Sequence, residues 1–288
     1  MPLKLRPFFG VPRVRFYSSG QRFPKADILR DTQRQDTVKL DLDKPVVLKN
    51  WFSDLPAIAK WFTPSPMENG FHELNTTYLE AYGFTLVPLE MTRSSSSLAG
   101  LPLQSSFERF EAPLSILLSQ MTGAQESAIQ LYLAQCSLAD LPSDLQTDLP
   151  TPDVISRVGK GDIYGSSLWL GRPPTRTPLH RDPNPNLFVQ LAGKKVVRMM
   201  KPKDGLALYE RLQEGGRHAN MRGEEMMAGT ETERLEDAVW SDKEGGTVAD
   251  GVQAELESGD GLFIPLGWWH SVRGVGSGAN ASVNWWFR

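Results

Sequence analysis

"TPLHRDPNPNLFVQLAGKK", residues 177–195, holds a histidine and an aspartate one residue apart, then an apolar run, a glycine and two lysines. His180 and Asp182 stand at i and i+2, so on an extended segment both side chains point to one face. A metal needs two neighbouring ligands placed that way. Alone, such a pair is more often a turn histidine with an Asx-turn aspartate before Pro183. "NLFVQLAG" (186–193) and "KKVVRMMK" (194–201) read as two short strands with a turn at Gly193. On the second, Lys195, Val197 and Met199 share one face, and Lys194, Val196 and Arg198 the other. The face with two charges is expected to be the outer one, which turns Lys195 inward. A buried lysine without a partner is costly, and no acid is expected on its face. A ligand would then supply the anion, for example the far carboxylate of a dicarboxylic acid. The alternative is a lysine snorkelling at a strand end.

Outward from this stretch, "SSLWLG" (166–171), "GLFIPL" (261–266) and "ASVNWWF" (281–287) continue a series of short strands with Gly/Pro turns. The pattern predicts a mainly β fold with flanking helices, a sandwich or barrel, and it contains no internal repeat. His270 ends "GDGLFIPLGWWH". Its two preceding tryptophans suit a core, but the histidine completes a set of two histidines and one carboxylate. That facial triad leaves three positions of an octahedral Fe(II) open, enough for a bidentate cosubstrate and dioxygen. Zinc is the rival, yet its structural sites are closed and four-coordinate, and no fourth ligand is evident.

The first half is read as mixed α/β over 27–126. "KPVVLKNWF" (44–52) and "FTLVPLEMT" (84–92) suit strands, and "SDLPAIAKWF" (53–62) a helix. "FERFEAPLSILLSQM" (107–121) has helical spacing with a proline early in it, and the serine-rich 94–106 reads as a loop. "SAIQLYLAQCSL" (127–138) reads as a strand opening the barrel domain, 127–288, and "LPSDLQTDLPTPD" (141–153) as a connection. Residues 203–257 interrupt the strands. Eleven acids and two bases fall between Glu224 and Glu257, which predicts a solvated insertion or a lid at the barrel mouth.

Composition narrows the class. The 288 residues carry 31 basic and 34 acidic side chains, and no segment approaches the roughly 18 apolar residues of a membrane span. The single cysteine, Cys136, excludes an internal disulfide and a cysteine-rich zinc site. Residues 1–26 hold six basic residues and no acid. With "RFYSS" (15–19) they read as a mitochondrial targeting segment cleaved after Tyr17. The remaining chain would be net acidic, which argues against a dedicated nucleic-acid binder.

Taken together, these motifs resemble the Jumonji-C (cupin-like) Fe(II)/2-oxoglutarate oxygenases. The hydroxylase branch is the nearer resemblance, typified by the asparaginyl hydroxylase that inhibits hypoxia-inducible factor. The resemblance spans roughly Lys44 to Arg288. It implies a double-stranded β-helix (jelly roll) and a centre of His180, Asp182 and His270. It also implies that Lys195 pairs the C5 carboxylate of 2-oxoglutarate, with Thr177 and Tyr132 adding hydroxyls. Asn186, Phe188, Asn284 and Trp286 match pocket positions. The implied cofactors are Fe(II), 2-oxoglutarate and O2, and the implied partner is a protein substrate. Aspartate, rather than glutamate, between the histidines favours a hydroxylase. Lysine demethylation, tRNA hydroxylation and a non-catalytic cupin-like binding module are the alternatives. The C-terminal helices that dimerise some relatives are expected to be absent, so the oligomeric state stays open.

Overall fold

The computed structural model describes residues 23–30, 40–66, 68–94, 105–123, 129–212, 230–241 and 251–288. Most of the expected targeting segment and loop 94–106 lie outside the described residues, as do 213–229 and 242–250 of the insertion. The first half contributes β1 (Asp27–Arg30), β2 (Val46–Lys49), α1 (Pro56–Trp61), β3 (Phe62–Pro64), β4 (His72–Leu74) and α2 (Thr76–Leu79). After these come β5 (Leu86–Ser94), β6 (Ser105–Pro113), α3 (Leu114–Thr122), β7 (Ile129–Ser137), α4 (Ser143–Thr147) and α5 (Val154–Val158). The second half runs through β8 (Ile163–Gly171), β9 (Thr175–Arg181), β10 (Asn186–Ala192), β11 (Lys194–Met200), α6 (Pro202–Leu212) and α7 (Thr230–Trp240). It closes with β12 (Val252–Leu256), β13 (Gly261–Ile264), β14 (Trp269–Val275) and β15 (Asn280–Phe287).

Two sheets face each other, as a jelly roll requires. The small one has the order β12-β11-β14-β9, and the large one β1-β2-β13-β10-β15-β8-β7-β5-β6. Phe188, Leu262 and Ile264 of the large sheet pack against Val197, Met199, Leu256 and Val272 of the small one. The chain crosses between the sheets at Gly193, where φ is +68° and a Cβ would meet the Ala279 carbonyl oxygen at 2.6 Å. Only glycine fits there without strain. Outside the barrel, α1, α3 and α4 bury Trp61, Leu117, Met121 and Leu145 on the back of the large sheet.

Three expectations change. The stretch read as a helix from 107 is a strand to Pro113, paired residue for residue with β5, and becomes helical only at Leu114. Residues 203–257 are neither a solvated run nor a lid where described. Helices α6 and α7 bury Leu208, Tyr209, Leu235 and Val239 against Trp269 and Met200 on the outer face of the small sheet, and β12 is a barrel strand. Phe23 to Ala26, inside the segment read as targeting, pack on the barrel: Phe23 and Ala26 are buried, and Ala26 N donates to the Gln253 carbonyl.

Candidate metal centre

Strands β9 and β14 place His180 directly opposite His270, and the two ring centroids are 4.1 Å apart. Asp182 follows at the end of β9. Its carboxylate lies 3.9 Å from His180 Nε2 and 3.6 Å from His270 Nε2. One ligand atom from each residue therefore lies within 4.8 Å of the others. Both imidazoles are oriented through their far nitrogens. His180 Nδ1 faces the Pro178 carbonyl at 2.8 Å, and His270 Nδ1 faces the Trp268 carbonyl at 3.2 Å. A carbonyl only accepts, so Nδ1 carries the proton on each ring and Nε2 offers its lone pair to the common point.

Charge at the site suits a cation. Burial pushes His270 down to about 4, helped by the neighbouring His180 and opposed by Asp182 and the Trp268 carbonyl, so this ring is neutral at neutral pH. Burial pulls Asp182 upward. The adjacent imidazoles, the Trp286 indole and the Asn186 amide outweigh it and hold the carboxyl below its ordinary range. Asn186 Nδ2 donates to Asp182 Oδ2 at 2.8 Å, and Asn284 Nδ2 donates to Asn186 Oδ1 at 2.9 Å. This amide chain orients the carboxylate. The Trp286 indole stands beside the same carboxylate without closing a hydrogen bond, and Asn284 Oδ1 is also buried without a partner. Unsatisfied polar atoms inside a barrel mark a place that a ligand completes. A carboxylate and two imidazole nitrogens around one point fit Fe(II) and leave open positions.

The inner face of β11 carries Lys195, 3% exposed. Its ammonium donates to Ser282 Oγ at 2.6 Å and to the Tyr132 hydroxyl at 3.4 Å, and sits 5.4 Å from the Phe188 ring centroid. Among the described residues no charged group offsets its burial, which pushes Lys195 down to about 7. Met199 is level with His270, and Lys195 lies four residues before it on β11. At about 3.3 Å per residue the two rows are about 13 Å apart.

The structure places Tyr132 beside Lys195 at one end of the barrel, Asn186 and Trp286 level with each other at the metal end, and the paired Phe188 and Asn284 between them. Thr177 pairs with Val272, one inward rung nearer the metal than Lys195. Level with Lys195 is Thr175, which pairs with Gly274 and hydrogen-bonds Tyr132. Thr175 and Ser282 escaped the sequence reading, although they share strand parity with Thr177 and Asn284. Two glycines make the room. A Cβ on Gly171 would meet the Tyr132 ring at 2.6 Å, and one on Gly274 would meet Thr175 Oγ1 at 2.3 Å. A cavity of about 300 Å³ at β2, β11 and β12 reaches Lys195 and is otherwise lined by Lys25, Lys49 and Lys194. Glu255, Glu257 and Asp260 already pair with the latter three lysines, so it is not the site.

A family model described as a cupin-like domain matches residues 35–288. Lysine-specific demethylase JMJ30 of Arabidopsis thaliana is 28% identical over 84% of this chain and 49% of its own length. Lysine-specific demethylase 8 of Danio rerio is 30% identical over 58% of this chain and 38% of its own. The human bifunctional peptidase and (3S)-lysyl hydroxylase JMJD7 is 24% identical over 85% of this chain and 77% of its own. The chain thus spans about half the length, or less, of the first two relatives. These likenesses reach the family and do not single out the asparaginyl hydroxylase branch. With its jelly roll and His–Asp–His cluster, the chain belongs to the cupin-like family of Jumonji-C proteins.

Proposed function

We propose that this chain is an Fe(II)- and 2-oxoglutarate-dependent dioxygenase that hydroxylates a protein. The carrying observation is the pairing of a facial His–Asp–His cluster with a buried lysine on the same inner face of the small sheet, four residues away along β11 and without a counterion among the described residues. When bound, iron supplies the oxidative decarboxylation of 2-oxoglutarate to succinate and CO2, coupled to insertion of an oxygen atom from O2 into substrate. His180, Asp182 and His270 would hold it. Asn284 and Asn186 keep the Asp182 carboxylate aimed. Lys195 neutralises the C5 carboxylate, Ser282 and Tyr132 hold the ammonium, and Thr177 offers a hydroxyl on the way to the metal. Phe188 and the sheet-to-sheet apolar core exclude water, which strengthens each charge pairing.

Hydroxylation is favoured over demethylation because the relative named a lysyl hydroxylase aligns over most of both chains. The demethylases leave about half of their length or more unmatched. The decisive assay measures succinate from 2-oxoglutarate with added Fe(II), alongside formaldehyde release and peptide mass. Succinate without formaldehyde, lost in a His180→Ala/Asp182→Ala variant that also loses iron, is the expected result. Formaldehyde would move the reading to a demethylase. A modified tRNA instead of a modified peptide would move it to RNA. No succinate and no iron would leave a binding module. We also propose mitochondrial import, supported by the acid-free basic stretch before Asp27. The endogenous protein should begin near Ser18, and a chain retaining Leu3 to Arg15 would reject this.

A further inference from the structure

Trp240, the last residue of α7, lies on the outer face of the small sheet between two guanidinium groups. Arg198 is 4.7 Å and Arg273 4.3 Å from its ring centroid. Arg273 is bonded to Glu236 of the same helix at 2.6 Å, and Arg198 Nη1 donates to the Val239 carbonyl at 2.7 Å. This stack sets the plane of the indole and so aims its single donor. Trp240 Nε1 donates to Ser271 Oγ at 2.8 Å, and Ser271 Oγ donates to the Thr177 carbonyl at 2.9 Å. Ser271 is next to His270 but on the opposite face of β14, and it is buried.

Thr177 opens a bulge. Between the pairs His270–His180 and Val272–Thr177, β9 has one residue more than β14. Pro178, inside it, has no N–H to offer a ladder. The bulge puts the Pro178 carbonyl against His180 Nδ1. A continuous route of hydrogen bonds and two peptide units thus runs from the outer helix to one imidazole of the centre.

We propose that Trp240 is a positioning residue for the metal centre: through Ser271 it holds the β9 bulge whose Pro178 carbonyl sets the tautomer and rotation of His180. The proposal rests on the reading of His180 as a metal ligand. Packing alone does not require it, because Leu235 and Val239 already dock α7 on the sheet. Phenylalanine at 240 would keep the aromatic stack and delete only the donor.

The test uses the full chain with Trp240→Phe, Ser271→Ala and both together. Trp61→Phe serves as control, since it deletes an indole donor to Asp148 in the N-terminal region. Co(II) affinity and the Co(II) visible spectrum are read first, and the ¹⁵N imidazole spectrum of the metal-free chain second. Trp240→Phe should weaken Co(II) binding about threefold to tenfold, below the 10–100-fold typical of losing a direct partner of a ligand. It should also alter the Co(II) spectrum and mix the His180 tautomers. The double variant should bind no more weakly than Ser271→Ala alone, because both act on one route. Trp61→Phe should lower the melting temperature and leave the other readouts unchanged. Wild-type Co(II) affinity, spectrum and His180 tautomer in Trp240→Phe overturn the proposal, as do additive losses in the double variant. If the wild-type chain binds no Co(II), the metal reading fails, and the imidazole spectra still decide whether Trp240 orients His180.

Discussion

Lys195 is the residue on which the cosubstrate reading turns. Its neighbours Ser282 and Tyr132 are hydroxyls, so the ammonium is solvated by dipoles and, among the described residues, balanced by no charge. Lys195→Ala should therefore leave metal binding intact and weaken 2-oxoglutarate by about 2–5 kcal/mol, much of it from a carboxylate left buried without its partner. Lys194, on the outer face, pairs with Glu257 at 3.1 Å near solvent, and Lys194→Ala should change cosubstrate affinity by less than about 1 kcal/mol. Dissociation constants of both variants, beside their metal content, check the face assignment. The pH dependence follows from the same burial. Lys195 is pushed down to about 7 in the fold against an ordinary 10.5. Between these values the unfolded chain binds one proton more, so this residue's contribution to stability rises with pH, its penalty being full below about 7. A bound dicarboxylate reverses the preference and favours the ammonium. Above pH 7 binding should take up a proton, and affinity should fall by up to about tenfold per pH unit. Calorimetry at pH 8 in buffers of different ionisation heat reads that uptake directly, and identical heats would contradict it.

Elements were legible wherever one period governed them. Strands β8, β10, β11, β13 and β15 follow simple runs or alternation, and the parity that turned Lys195 inward is the parity observed. Legibility ended where two elements share a run or a charge run hides a pattern. Phe107 to Met121 mixes a strand and a helix around Pro113, and only the partner strand β5 resolves it. In β12 the apolar Val252, Ala254 and Leu256 alternate correctly inside an acidic stretch, so composition masked periodicity. The β9 bulge left only a faint trace. Thr177 and His180 cannot share a strand face at a spacing of three unless one residue is extra, and Pro178 supplies the reason for it. Helix α6 depends on a glycine whose purpose is visible only in space: a Cβ on Gly205 would meet the Trp269 ring at 2.3 Å. Gly205→Ala should thus lose about 1–3 kcal/mol to overpacking, against a helix-propensity gain of about 1 kcal/mol, and lower the melting temperature. An unchanged or higher melting temperature would show that α6 packs more loosely than its contact with Trp269 implies.

Across the whole molecule, the centre and the cosubstrate pocket are shared between the two sheets. His180 and His270 come from the small sheet, while Asn186 and Asn284, which aim Asp182, come from the large one. Lys195 of the small sheet bonds Ser282 of the large. A metal and a dicarboxylate that bind only the folded chain therefore tie the layers together and should stabilise the barrel as a unit. At a hundredfold excess over its dissociation constant one ligand adds about 2.7 kcal/mol. At roughly 2–4 °C per kcal/mol for a chain of this size, the melting temperature should rise by about 5–11 °C. Anaerobic melts with Co(II) and 2-oxoglutarate, reversed by a chelator, measure it. The His180→Ala/Asp182→Ala variant should show no shift. Asp148→Ala separates coupling from plain stability. Asp148 is a buried carboxylate accepting from Lys60, Trp61 and Tyr78 on the far side of the large sheet. Its loss leaves the Trp61 indole without its acceptor, about 1–3 kcal/mol, and should lower the ligand-free melting temperature. The ligand-induced shift should survive in full, because distant sites add independently. A shift that vanished in Asp148→Ala would mean that the N-terminal helices help to hold the barrel in its ligand-binding form.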